Sequence, residues 1–277
     1  MAQVTASTDT VRPINKRAKQ LPFPLNIYQS AVGKKWVMAI TGIAILGFVL
    51  AHMIGNLKLY LGVEPMNHYA EWLRDMLTPI LPRTVALWLM RIGLIVAFAL
   101  HIHSAYSLTI MNAKARPNGY QSKRDYIAAN FASRTMRASG IIVGLFILWH
   151  LADLTWGFVN PDFIRGDAYH NVVESFSFFP VAALYIVANL ALGLHIYHGA
   201  WSLFQSLGAN SPKLNPMRRP FAVAFAALIV VGNLSFPIMV QAGVISEKNR
   251  TTPLVNTETA NEDAATTLVI NLSETAQ

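Results

Sequence analysis

Ala86-Leu-Trp-Leu-Met-Arg-Ile-Gly-Leu-Ile-Val-Ala-Phe-Ala-Leu-His-Ile-His-Ser-Ala-Tyr-Ser-Leu-Thr-Ile-Met-Asn112 contains one charged side chain, Arg91, and no proline. A bilayer core about 30 Å thick is crossed by about 20 apolar residues of helix, and this stretch is longer. In lipid the backbone must satisfy its own hydrogen bonds, so an unbroken apolar run of this length reads as a membrane helix. It also carries two imidazoles, His101 and His103, and polar groups at membrane depth are costly enough to imply a use.

Four more segments qualify as spans, roughly 36–58, 138–160, 177–205 and 218–245. The chain of 277 residues is 53% apolar and 13% charged, with mean hydropathy +0.38. Soluble domains average about 25% charged residues. The expected class is therefore an all-α integral membrane protein of five transmembrane helices. Residues 1–35 form a basic N-terminal segment, 36–245 the membrane domain and 246–277 a polar tail. The first 30 residues lack the apolar core of a signal peptide.

The net charge of +8 lies in short connections between spans, which points to topology and lipid contact and not to nucleic acid. With no cysteine, the chain has no thiolate nucleophile, no covalently attached haem and no iron–sulfur cluster on its own thiolates.

Lys and Arg excess alternates from one connection to the next. Arg12, Lys16, Arg17, Lys19, Lys34 and Lys35 precede span 1. Lys114, Arg116, Lys123, Arg124, Arg134 and Arg137, with one Asp125, separate spans 2 and 3, and Lys213, Arg218 and Arg219 separate spans 4 and 5. The other connections are acidic or mixed, carrying Glu64, Glu71, Arg74, Asp75 and Arg83, then Asp162, Arg165, Asp167 and Glu174. The positive-inside rule places the N-terminus in the cytoplasm and the C-terminus outside.

Orientation gives depth. At about 1.5 Å per residue, His52 lies roughly 24 Å and His150 roughly 18 Å from the cytoplasmic side. His101 and His103 come at roughly 13–17 Å, and His195 and His198 at roughly 10–15 Å. The six sort into an outer pair on spans 1 and 3 and an inner group on spans 2 and 4, two stacked bis-histidine sites in a four-helix cofactor-binding bundle. Haem b suits such sites. His101 and His103 are about 200° apart around a helix, so only one faces inward, whereas His195 and His198 share a face. Arg91 and Asp153 are placed to pair, and Asp153 lies one turn from His150. His68 and His170 read as ordinary loop residues.

The segment Ser30-Ala-Val-Gly-Lys-Lys-Trp-Val-Met-Ala-Ile-Thr-Gly42, continuing to His52-Met-Ile-Gly-Asn-Leu57, resembles the first span of the cytochrome b membrane subunit of succinate dehydrogenase. Asn67-His-Tyr-Ala-Glu-Trp-Leu-Arg74 resembles the helix that follows it, and His195-Ile-Tyr-His-Gly-Ala-Trp-Ser-Leu-Phe-Gln-Ser-Leu-Gly208 the fourth span. The resemblance, over about 28–245, is to the fused five-helix anchors of bacterial succinate:quinone oxidoreductases and fumarate reductases (respiratory complex II). It implies docking of a flavoprotein and an iron–sulfur subunit on the cytoplasmic membrane, with electrons delivered to a quinone, expected to be menaquinone. The succinate site lies in the flavoprotein and this chain contributes no catalytic residue of its own. The resemblance assigns His52 with His150 to one b haem. It assigns span 2 (His101 or His103) with span 4 (His195 or His198) to a second, His198 fitting the motif better; His52, His150, His103 and His198 are the resulting metal-ligand set. Ser30, Lys34, Lys35 and Trp36 are candidates for a quinone site. Alternatives are a haem-free anchor, a Rieske-type iron–sulfur cluster shared with two partner cysteines, and, from another class, a proton-coupled transporter.

Overall fold

The computed structural model describes residues 21–23, 25–115 and 127–249, with side chains outside 127–134 and 249. The side chains of Arg12, Lys16, Arg17, Lys19, Arg116, Lys123, Arg124, Asp125 and Arg134, and the tail after 249, lie outside this set. The described residues are all-helical. Five helices are long and apolar enough to cross a membrane: α2 (Ala31–Asn56), α4 (Val85–Ala115), α5 (Ile127–Leu154), α7 (Phe179–Ser206) and α8 (Asn215–Gln241). Short helices α1 (Leu25–Gln29), α3 (Val63–Asp75) and α6 (Ala168–Ser177) lie at their ends.

Helix starts and stops follow local chemistry. Ser30 caps α2, accepting from the Gly33 amide at 2.9 Å, so the helix begins five residues before the apolar run suggests. The third span ends at Leu154 and not near 160. Trp156 N–H bonds back to Leu151 and Phe158 N–H to Ala152, while Gly157 turns the chain at φ +77°. Likewise α8 stops at Gln241, with Gly243 at φ +73° and Val244 N–H on Met239.

The core concentrates at the end that carries α3 and α6. Met53, Leu59, Met66, Tyr169, Val173, Phe176, Tyr185, Ile229 and Phe236 are buried there. Asn67 joins the two short helices, donating to Asp167 at 2.9 Å and accepting from Tyr169 N–H at 3.0 Å. Arg83, just before α4, bonds Asp75 at 2.8 Å and also pairs with Glu71. The Asp75 hydrogen bond and charge, then the Glu71 charge, push this exposed guanidinium further up.

Within the bundle α2 packs along α4, α5 along α7, and α8 along α7. Close approach of α8 depends on glycine: a Cβ on Gly193 would collide with Val230, and one on Gly232 with Met53. By contrast α2 against α5, and α4 against α7, meet at most glancingly. The two pairs meet through α2 and α7, and beside that seam a slot is left between α2 and α5 and between α4 and α7. The outward faces of α4 and α5 expose Ile92, Ile95, Ile102, Ile141, Leu145 and Leu148, which suits hydrocarbon and not water.

Candidate functional site

Histidines face each other across the slot in two tiers. His52 on α2 and His150 on α5, each four residues before its helix ends, have ring centres 5.8 Å apart at an interplanar angle of 77°. His101 on α4 and His195 on α7, each sixteen residues after its helix begins, have ring centres 6.5 Å apart at 63°. The tiers are about 16 Å apart along the axes, from the eleven residues separating Thr41, beside His101, from His52.

Neighbouring groups fix which ring nitrogen faces the slot. His101 Nδ1 lies 3.1 Å from the Met38 carbonyl and 3.3 Å from Thr41 Oγ1. A backbone carbonyl only accepts, so Nδ1 carries the proton and Nε2 keeps its lone pair. His195 is held in a similar way by α5, with Ser139 Oγ 3.4 Å from Nδ1 and the Met136 backbone as a further partner of the ring. Glycine lets each ring approach: a Cβ on Gly42 would stand 3.4 Å from His101 Cε1, and one on Gly140 3.2 Å from His195 Cε1. This is a repeat. Met38, Thr41, Gly42 and His52 recur 98 residues later as Met136, Ser139, Gly140 and His150. Sequence reading missed this pattern, although the constant offset was visible.

The other tier is held differently. His52 stacks on Phe48 at 5.4 Å, and His150 contacts Phe146 and Tyr185. Tyr185 donates to Asp153 at 2.7 Å and Ser175 donates to the same carboxylate oxygen at 2.6 Å. His150 Nδ1 is 3.4 Å from the Tyr185 oxygen, which is free to accept. Asp153 thus reaches His150 through Tyr185. Arg91 is not its partner; it is exposed over the Trp88 ring at 5.1 Å.

The doublet partners sit elsewhere. His103 is exposed and bonds Tyr28 of α1 at 2.6 Å, with Tyr28 also 3.0 Å from Ser104. His198 is buried beside Tyr197 and Trp201, with no hydrogen bond to Nε2. The structure thus brings His101 to His195, and does not bring His103 to His198.

Of the residues considered for quinone, Ser30 is engaged at both ends, donating to the Ile27 carbonyl at 2.8 Å while capping α2. Lys34 holds its ammonium 4.0 Å above the Tyr28 ring, and Lys35 and Trp36 are exposed. Sequence reading also missed a cleft of about 340 Å³ at the same end, lined by Thr109, Asn112, Ala113 and Arg137. His68 is exposed as expected, but His170 is buried in the α3/α6 end.

A metal between two imidazoles, at about 2.0 Å per bond, sets ring centres about 6 Å apart. Both tiers match that spacing. The residues present therefore fit planar groups held by axial histidines.

Five membrane-length helices with imidazoles opposed across an internal slot define a multi-pass helical membrane protein. Residues 120–234 match the family model of the succinate dehydrogenase/fumarate reductase transmembrane subunit, a stretch holding most of the last three spans with His150, His195 and His198. The match supports assignment of the chain to the cytochrome b anchor-subunit family that its first and fourth spans resemble. No curated protein and no solved structure matches it.

Proposed function

We propose that this chain is the membrane anchor of a bacterial succinate:quinone oxidoreductase, carrying electrons from an iron–sulfur subunit to a membrane quinone through two b haems. The observation that carries the reading is the pair of opposed histidine tiers at metal-sandwich spacing. His52 and His150 would hold one haem and His101 and His195 the other, with His103 and His198 as flanking groups. Bound haem supplies reversible one-electron chemistry.

This chain's residues supply the orientation. Met38 and Thr41 hold Nδ1 of His101, and Ser139 and the Met136 backbone hold the His195 ring, leaving Nε2 to ligate. Tyr185 accepts from His150 while giving its own proton to Asp153, which makes that imidazole a stronger donor to metal.

The charge alternation supports a cytoplasmic N-terminus, which sets the Ser30 end toward the iron–sulfur and flavoprotein subunits. Quinone reduction there would draw on Lys34, Lys35 and Trp36, with Ser30 holding the helix start and Lys34 within reach as a hydrogen-bond donor to a quinone carbonyl. The test is a dithionite-reduced visible spectrum of the purified complex with a pyridine haem assay. Sharp α-bands and two haems per chain are expected. Iron and labile sulfide without haem bands overturns the haem reading in favour of a cluster shared with partner cysteines.

A further inference from the structure

At the α3/α6 end a second group of ligand-type side chains stands apart from the paired histidines. His170 and Glu174 are four residues apart on α6 and so share one face of the helix. Glu247, in the 3₁₀ turn Glu247–Asn249 after α8, reaches the same place. One ligand atom from each lies within 4.8 Å of the others.

The orientation of His170 points to a cation. Its Nε2 lies 2.9 Å from the Asp162 carbonyl, an acceptor only, so Nε2 carries the proton. In the neutral ring Nδ1 is then a bare lone pair, and it faces Glu247 Oε1 at 3.2 Å. Two acceptors at that distance repel unless something positive lies between them. A second proton would serve Glu247 alone. A divalent cation serves Glu247 and Glu174 together. An imidazole whose far N–H is anchored on a backbone carbonyl is the usual arrangement of a metal ligand.

The anchoring is rigid. The Asn171 side chain bonds Ile164 through both N–H (2.8 Å) and C=O (2.8 Å), and Asn160 bonds the Asn171 carbonyl at 3.2 Å. The loop bearing Asp162 is thus stapled to α6, and His170 itself is 6% exposed. Across the helix, Tyr169 reaches the Ser246 carbonyl at 3.3 Å, which brings the turn after α8 into register.

We propose that His170, Glu174 and Glu247 form a binding site for a divalent transition-metal cation of the Zn²⁺ class, bracing the start of the C-terminal tail against α6. One imidazole nitrogen and two carboxylates, with a fourth position open to water, suit zinc better than calcium or magnesium, which prefer all-oxygen shells. Bonds of about 2.0 Å place tetrahedral ligands about 3.3 Å apart, close to the 3.2 Å between His170 Nδ1 and Glu247 Oε1 and within reach of the 4.8 Å limit on all three ligand atoms. The site is independent of the haem reading.

The test uses full-length chain, purified in detergent with whatever subunits accompany it, stripped by chelator and dialysed against Zn²⁺ alone. Wild type is expected to retain one more zinc per chain than the Glu174→Gln/Glu247→Gln double variant. Each single variant should weaken retention at least tenfold, and X-ray absorption should show one imidazole in the zinc shell. These carboxamides keep the side-chain shape and leave the His170–Asp162 bond intact; a circular dichroism melt in chelator confirms that they fold. Should the double variant itself fail to fold, the singles decide. Equal zinc in wild type and folded variants, or a zinc shell without imidazole, overturns the proposal.

Discussion

The two histidine tiers perform the same geometric task with different supports. His101 and His195 are held by the backbone of the next helix, beside a hydroxyl and a glycine that recur at a fixed offset. His52 and His150 are held by aromatic rings, and His150 also by the Tyr185–Asp153–Ser175 chain. Backbone support cannot be removed by side-chain mutation, whereas the Asp153 chain can be dismantled one hydroxyl at a time. The tiers should therefore respond to different substitutions.

The largest expected effect comes from the ligands. His52→Ala and His150→Ala should each abolish one and the same reduced-haem component, and His101→Ala and His195→Ala the other. His103→Ala and His198→Ala should keep both components. Loss of a component in either of those variants would break the pairing assigned here, and low-temperature difference spectra would show it.

Next comes the support of the α3/α6 tier. Tyr185→Phe removes the acceptor for His150 and one of two donors to buried Asp153, at a cost of about 1–3 kcal/mol in stability. A less basic imidazole should also raise the potential of that haem by on the order of tens of millivolts, a hydrogen bond being worth about 1 kcal/mol. Redox titration should find the other haem unmoved; equal shifts in both would mean that the tiers are not separately supported.

Glycine substitutions sharpen the contrast from the other side. Gly140→Ala, whose Cβ would sit 3.2 Å from His195 Cε1, should perturb the His101/His195 component more than Gly42→Ala at 3.4 Å from His101. The low-spin haem electron paramagnetic resonance signals would register it as a shift in one component only. The smallest effect is expected from Ser30→Ala, which loses the α2 cap for about 1 kcal/mol. A fall in the unfolding temperature with unchanged quinone turnover marks Ser30 as a cap; a large loss of turnover in a stable protein would place its hydroxyl against quinone instead.

Much was legible in the chain. Apolar length gave the five spans, and the positions of His52, His101, His150 and His195 within them gave the sorting into two tiers, but not their separation, which the structure sets at about 16 Å. Which member of each doublet faces the slot was not legible. His101 and His103 project to opposite sides of α4, and only the rotation of α4 against α2, which lays His101 on the Met38 carbonyl, selects between them. His195 and His198 share a face, so spacing alone could not separate them; contact with Ser139 and Met136 on α5 does. His170 read as a loop residue because nothing local reveals that the loop around Asp162 folds over it.

The sequence by itself determined the membrane class, the number of spans and the sorting of the imidazoles into two tiers, since these follow from hydrophobic length and the geometry of a single helix. Only the tertiary structure decided which imidazoles oppose, what holds Nδ1, and that Glu247 meets α6. Those depend on rotations between helices and on chain returns, which are set by packing among residues far apart in sequence.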